Sequence, residues 1–134
     1  MLKAQVGTIG GRRIIAMDSI TKLNAEDEGA IIVAASHGGS SAAEVAASVP
    51  LHMVFFNDAG VGKDRAGIVG LSILQEQRLA AGTVSHESAC IGDGMDMWEH
   101  GVLSHVNAAG LMLGIRPGMA LRNALLHVKG EVAA

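Results

Sequence analysis

The sequence predicts a single α/β domain over residues 1–134, with a doubly wound, mostly parallel sheet entered through an N-terminal β-hairpin. Three observations point there. Short apolar runs recur at Ala30–Ala35, Met53–Phe56 and Ala80–Val84, and parallel strands buried on both faces read as such continuous runs. Each run breaks into a glycine-bearing loop crowded with ionisable and hydroxyl groups: residues 36–41 (SHGGSS), 57–64 (NDAGVGKD) and 85–96 (SHESACIGDGMD). Helical spacing fills the intervals, and strands alternating with helices imply a sheet covered on both faces.

Residues 4–9 and 12–17 flank Gly10-Gly11, a glycine turn between β-prone runs that signals the hairpin. Asp18–Thr21 follows as a polar stretch suited to a fourth loop at the site, and residues 24–28 read as an acidic turn or one helical turn. Ser41-Ala42-Ala43-Glu44 fits a capping box, so a short helix is expected to about Ser48, stopped by Pro50. A longer helix is expected from about Lys63 to Ala80. It rests on Val69–Ile73 at i,i+4 and Ile68–Leu71–Leu74 at i,i+3, with Gly82 at the left-handed C-terminal position. Asp93–His100 reads as a short helix bearing Trp98, Gly101–Val106 as a strand, and Asn107 as the start of a small-residue helix ending near Gly114. Pro117 and Gly130 bracket a final helix through Leu121, Leu125 and Val128. A Rossmann-like or flavodoxin-like arrangement of this kind places its site beyond the carboxyl ends of the strands.

Composition narrows the function. The chain is 49% hydrophobic and 17% charged, against about 25% charged for an average globular chain. That shortage of charge makes a homo-oligomer the expected state, with part of the surface buried against another copy. A net charge of −3, with ten basic residues scattered along the chain, argues against nucleic acid, which needs a clustered cationic face. Phe55, Phe56 and Trp98 are the only aromatic side chains, too few for base stacking. No apolar run approaches a membrane span, and residues 1–13 lack the apolar core of a signal peptide. The single cysteine, Cys90, has no partner for an internal disulfide, which fits a cytoplasmic location.

The loops carry the chemistry. His37, Gly38, Gly39 and Ser40 form a candidate anion site, because glycine lets an oxyanion approach free amides at a helix start. Ser41 is as well explained as a plain cap. The second loop is not a P-loop: Asn57 stands where glycine is needed and Asp64 where a hydroxyl is needed. It nevertheless sets Asn57 and Asp58 directly after a strand. Lys63 at a helix start works against the dipole, which a role in substrate binding or proton donation would explain. In the third loop, Cys90 is more readily a small buried hydrophobe than a nucleophile. Ser85, His86 and Asp93 are the better candidates, Asp93 lying between Gly92 and Gly94. No H-x-x-x-H, H-E-x-x-H or C-x-x-C spacing occurs, although a divalent cation held by Asp58, Asp93 and substrate oxygens is compatible with the sequence.

The expected function is acid–base catalysis, hydrolase or lyase, on a small metabolite bearing a carboxylate, phosphate or amide. Asp58, His86 and Lys63 are the expected catalytic set. His37, Gly38, Gly39 and Ser40 would hold the anion, with Asn57, Ser85 and Asp93 positioning the rest. The absence of G-x-G-x-x-G disfavours a dinucleotide, and no redox cofactor is required. The alternative is a non-catalytic small-molecule-binding or regulatory subunit. Catalysis requires the loops to converge with a His–carboxylate hydrogen bond, which a binder does not.

Overall fold

A computed structural model describes residues 1–126 and Val128. Among these residues six strands form one mixed sheet: β1 (Lys3–Ile9), β2 (Arg12–Met17), β3 (Ile31–His37), β4 (Met53–Asn57), β5 (Ala80–Val84) and β6 (Leu103–Val106). Among the described residues five α-helices occur: α1 (Ser40–Ala47), α2 (Val69–Glu76), α3 (Gly94–His100), α4 (Ala108–Met112) and α5 (Leu121–Leu126). Among the described residues no helix is long and apolar enough to cross a membrane.

The hairpin of β1 and β2 pairs Ile9 with Arg12 around Gly10-Gly11, both at positive φ. From β2 to β5 every pairing is parallel, and β6 returns antiparallel to β5. The strands lie in chain order from β1 to β6. A flavodoxin-like order, in which the winding reverses partway across the sheet, is therefore not observed. The reason is local: each crossover from β2 to β5 is short and reaches only the adjacent strand.

Alternation along the strands separates two cores. Ile31, Val33, Met53 and Phe55 face α3 and α5, whereas Ile32, Ala34, Val54 and Phe56 face α1 and α2. Both faces are covered, which is why β3 and β4 read as unbroken apolar runs.

Three expectations need correction. The capping box at Ser41–Glu44 does not form: Gly39 is the N-cap of α1, no side chain caps it, and Ser41 lies inside the helix. The long helix predicted from Lys63 splits into a 3-10 turn at Lys63–Arg65 and α2 from Val69. Asp64 and Arg65 take φ of 56° and 59°, which no α-helix accommodates. Gly82 is not a helix cap but the centre of β5, paired with Phe55. Arg78, at φ 58°, is the left-handed residue after α2. The last helix starts at Leu121, and its predicted end at Gly130 lies outside the described residues.

Candidate functional site

Parallel strands deliver their carboxyl ends to one edge of the sheet, and hydrogen bonds stitch the loops together there. The Gly38 amide donates to the Asn57 carbonyl at 3.1 Å, and the Asp58 amide to the Val84 carbonyl at 2.9 Å. The Gly92 amide returns to the Ala35 carbonyl at 2.9 Å. Asp18, at the end of β2, accepts the Gly94 amide at 2.9 Å and the Leu2 amide at 2.7 Å. Those two bonds, Gly94 first, hold its carboxyl below the usual carboxylate range. The polar stretch after β2 therefore does join the other loops, as an anchor for the start of α3.

Asn57 and Asp58 are consecutive, so they point to opposite faces of the sheet. Asn57 is fully buried. Its side-chain NH2 donates to the Ala89 carbonyl at 2.9 Å and its oxygen accepts the Ala59 amide at 2.8 Å. Its amide faces inward and braces the third loop against β4.

Asp58 turns toward β5 on the α2 side and is 5% exposed. Its Oδ1 accepts the Gly60 amide at 2.8 Å, the His86 amide at 3.0 Å and His86 Nδ1 at 3.3 Å. Burial opposes ionisation, but the Gly60 amide, the Ser104 hydroxyl and both His86 donors outweigh it and lower the Asp58 pKa. Asp58 is thus ionised at neutral pH. The His86 side chain is 51% exposed, and a Cβ added to Gly60 would lie 3.6 Å from its Cε1. With Nδ1 turned to the carboxylate, Nε2 is the nitrogen left for a substrate.

Sequence reasoning missed the polar pair beside this dyad. A register shift between Thr83 and Val84 makes a β-bulge in the pairing of β5 with β6. Ser104 and His105 consequently both turn to Thr83: Thr83 Oγ1 lies 2.9 Å from Ser104 Oγ and 3.4 Å from His105 Nδ1. Bulges commonly re-aim side chains next to sites. The legible trace is two adjacent polar residues in a short strand, which breaks its alternation.

The other predicted site residues are distributed as follows. Gly38 and Gly39 are buried against α2: a Cβ on Gly38 would lie 2.7 Å from the Gly67 carbonyl oxygen, and one on Gly70 2.7 Å from that of Gly39. These glycines let two backbones touch. His37 and Ser40 are exposed at the mouth of α1, and His37 folds back over Gly39. Lys63 is exposed on the loop that also carries Asp58. Ser85 caps its own turn by accepting the Glu87 amide at 3.1 Å. Asp93 is the N-cap of α3 and accepts the Asp96 amide at 3.0 Å. Cys90 is exposed rather than buried. Among the described residues no group of three or more His, Cys, Asp or Glu side chains is placed to hold a metal ion.

The edge thus joins Asp58 and His86, with Ser85 beside them in sequence and Asn57 bracing from below. No protein-family model, curated protein or solved structure matches the chain.

Proposed function

We propose that this chain is an acid–base enzyme, a hydrolase or lyase acting on a small carboxylate-, phosphate- or amide-bearing metabolite at the carboxyl edge of its sheet. The observation that carries the reading is the buried, ionised Asp58 holding His86 by both its amide and its Nδ1.

The chemistry follows from that geometry. An ionised carboxylate can only accept a hydrogen bond, so Nδ1 bears the hydrogen and the lone pair sits on Nε2. His86 Nε2 withdraws a proton from substrate or from an attacking water. Asp58 stabilises the imidazolium that results, and His86 then returns the proton to the leaving group. Lys63 supplies positive charge near the same loop, and His37 with the amides at the start of α1 completes the anion-binding side.

The test is turnover. The purified protein is incubated with a panel of small carboxylates, phosphate esters and amides, and consumption is followed by proton NMR. Turnover that disappears in His86→Ala, with the fold intact by circular dichroism, is the expected result. A fully active Asp58→Ala, His86→Ala double variant would sink the assignment. Tight binding of a panel member without turnover would favour the regulatory-subunit reading.

A further inference from the structure

A cleft of about 890 Å3 opens at the amino ends of β4 and β5, the edge of the sheet opposite Asp58 and His86. Its volume falls in the range of small-molecule sites. The carboxyl ends of α1 and α2 wall it together with α4. Two amide side chains fix those walls. Asn107, 8% exposed, donates to the Leu71 and Leu79 carbonyls at 3.3 and 2.9 Å and accepts the Ala81 and Gly110 amides at 3.0 and 2.9 Å. Gln75 Oε1 accepts the Ala109 amide at 2.7 Å. The cleft is therefore pre-formed by bonds between α2, β5 and α4.

Leu51, Leu79, Met112 and Leu113 give the cleft an apolar bed, with Gln77 and Arg78 among its polar groups. Met112 is 79% exposed, a large apolar surface that a ligand seated there would cover. Among the described residues no aspartate or glutamate lines the cleft, not even Glu76, which sits between two lining glutamines. Arg78 supplies the fixed charge. A plain reading makes it a cap for the carboxyl end of α2. Backbone amides already close that turn: those of Gln77 and Leu79 reach the Leu74 carbonyl at 3.0 and 3.1 Å, and that of Arg78 reaches the Gln75 carbonyl at 2.9 Å. The Arg78 side chain makes no hydrogen bond or ion pair among the described residues. Arg78 also takes φ 58°, in the position after a helix that glycine fills most easily. The guanidinium is thus carried there at a cost to the fold.

We infer that this cleft is a second ligand site, for a small organic monoanion with a hydrocarbon body. The charged group meets Arg78, and the chain lies along Leu51, Leu79, Met112 and Leu113. A guanidinium with no carboxylate beside it favours an anion over a cation or a neutral molecule. The apolar bed favours a hydrocarbon chain over a bare inorganic anion. The whole of β4 separates this site from Asp58, so binding here does not depend on that residue or His86 being catalytic.

Octanoate is a direct probe, with octan-1-ol as its uncharged match. Titrating the 15N-labelled full chain with octanoate should move the amide signals of Leu51, Gln77, Arg78, Leu79 and Leu113, and octan-1-ol should move them far less. Arg78→Gly should bind octanoate about tenfold more weakly and yet melt at a higher temperature than the parent, because glycine suits the left-handed position. A loss of binding in a more stable protein excludes misfolding as its cause. Arg78→Lys, which keeps the charge, should stay within about threefold of the parent. Met112→Glu, at an exposed position, should weaken octanoate by repulsion. Affinity that survives Arg78→Gly, an equal response to octan-1-ol, shifts that gather at His86 or His105, or no shift at all would overturn the proposal. Broadening at Met112 and Leu113 that grows with protein concentration, without a response to octanoate, would overturn it too and assign the cleft to a second copy of the chain.

Discussion

Among the described residues, two carboxylates face a histidine. Asp96 Oδ1 meets His100 Nδ1 at 2.8 Å along the surface of α3, with the imidazole 65% exposed. Asp58 meets His86 at 3.3 Å across two loops, with the carboxylate 7% exposed. Both aspartates sit below their ordinary pKa. For Asp96 the Cys90 amide is the main cause, followed by His100, whereas for Asp58 hydrogen bonds must first overcome burial. The shorter contact is the weaker candidate. An i,i+4 pair on an exposed helix is screened by water and costs little to break. The longer contact joins residues held twice, since the His86 backbone amide also donates to the Asp58 carboxylate at 3.0 Å, so its geometry persists when the imidazole fluctuates.

The largest expected effect comes from the support beneath Asp58 rather than from Asp58 itself. A Cβ on Gly67 would collide with the Asp58 carbonyl, so Gly67→Ala should cost about 3 kcal/mol in urea unfolding. A Gly67→Ala protein of parental stability would break the claim that this loop is rigidly held. Gly92 is the control: it is at φ 85° with open space around its Cβ position, and its substitution by alanine should cost only about 1 kcal/mol.

Next in size is Asp58→Ala, which leaves the Gly60 and His86 amides without their acceptor and should cost about 2 kcal/mol at neutral pH. The sign of its pH dependence is set by the lowered pKa. The folded protein binds the Asp58 proton less readily than the unfolded chain, so this stabilisation is present above the unfolded value of about 3.9. It is lost as pH falls through the lower folded value. Urea midpoints below about pH 4 should therefore fall less steeply for Asp58→Asn than for the parent. Asp96→Asn should leave the midpoint at pH 7 unchanged, and a large loss there would erase the distinction between the two pairs.

The smallest effect is the most specific. Nitrogen NMR at neutral pH should find neutral His86 protonated on Nδ1, and Asp58→Ala should transfer that proton to Nε2. His100, whose contact with Asp96 is exposed to water, should show a mixture of tautomers. Finding His86 protonated on Nε2 in the parent would show that Asp58 does not orient it.

Much of this arrangement was legible before any coordinates. The three apolar runs are β3, β4 and β5 within a residue or two, because strands buried on both faces have little freedom in composition. Gly10-Gly11 marked the hairpin, and Asp93 and Asn107 cap the helices they precede. Asp58 and His86 were both legible as candidate acid–base residues at strand ends, but their pairing depends on β4 lying beside β5, which no local pattern encodes. Elsewhere local signals misled. Ser41-Ala-Ala-Glu44 has the residues of a capping box, yet Gly39 is the N-cap because its neighbour Gly38 is pressed against Gly67. The glycines of SHGGSS carry a second duty that the sequence did not reveal, the close contact of α1 with α2. Apolar spacing after Lys63 was correct only from Val69 onward, since left-handed Asp64 and Arg65 precede it.

By itself the sequence determined the alternation of strands and helices, the two-sided burial of the sheet and the polar loops that end its strands. All three follow from short-range patterning, which each segment carries alone. The tertiary structure decided the consecutive strand order, the bulge that turns Ser104 toward Thr83, and the inward role of Asn57. Each depends on contacts between residues 20 or more positions apart, such as Asn57 with Ala89 and Thr83 with Ser104. No local pattern encodes which distant backbone will arrive there, because packing of both faces at once makes that choice.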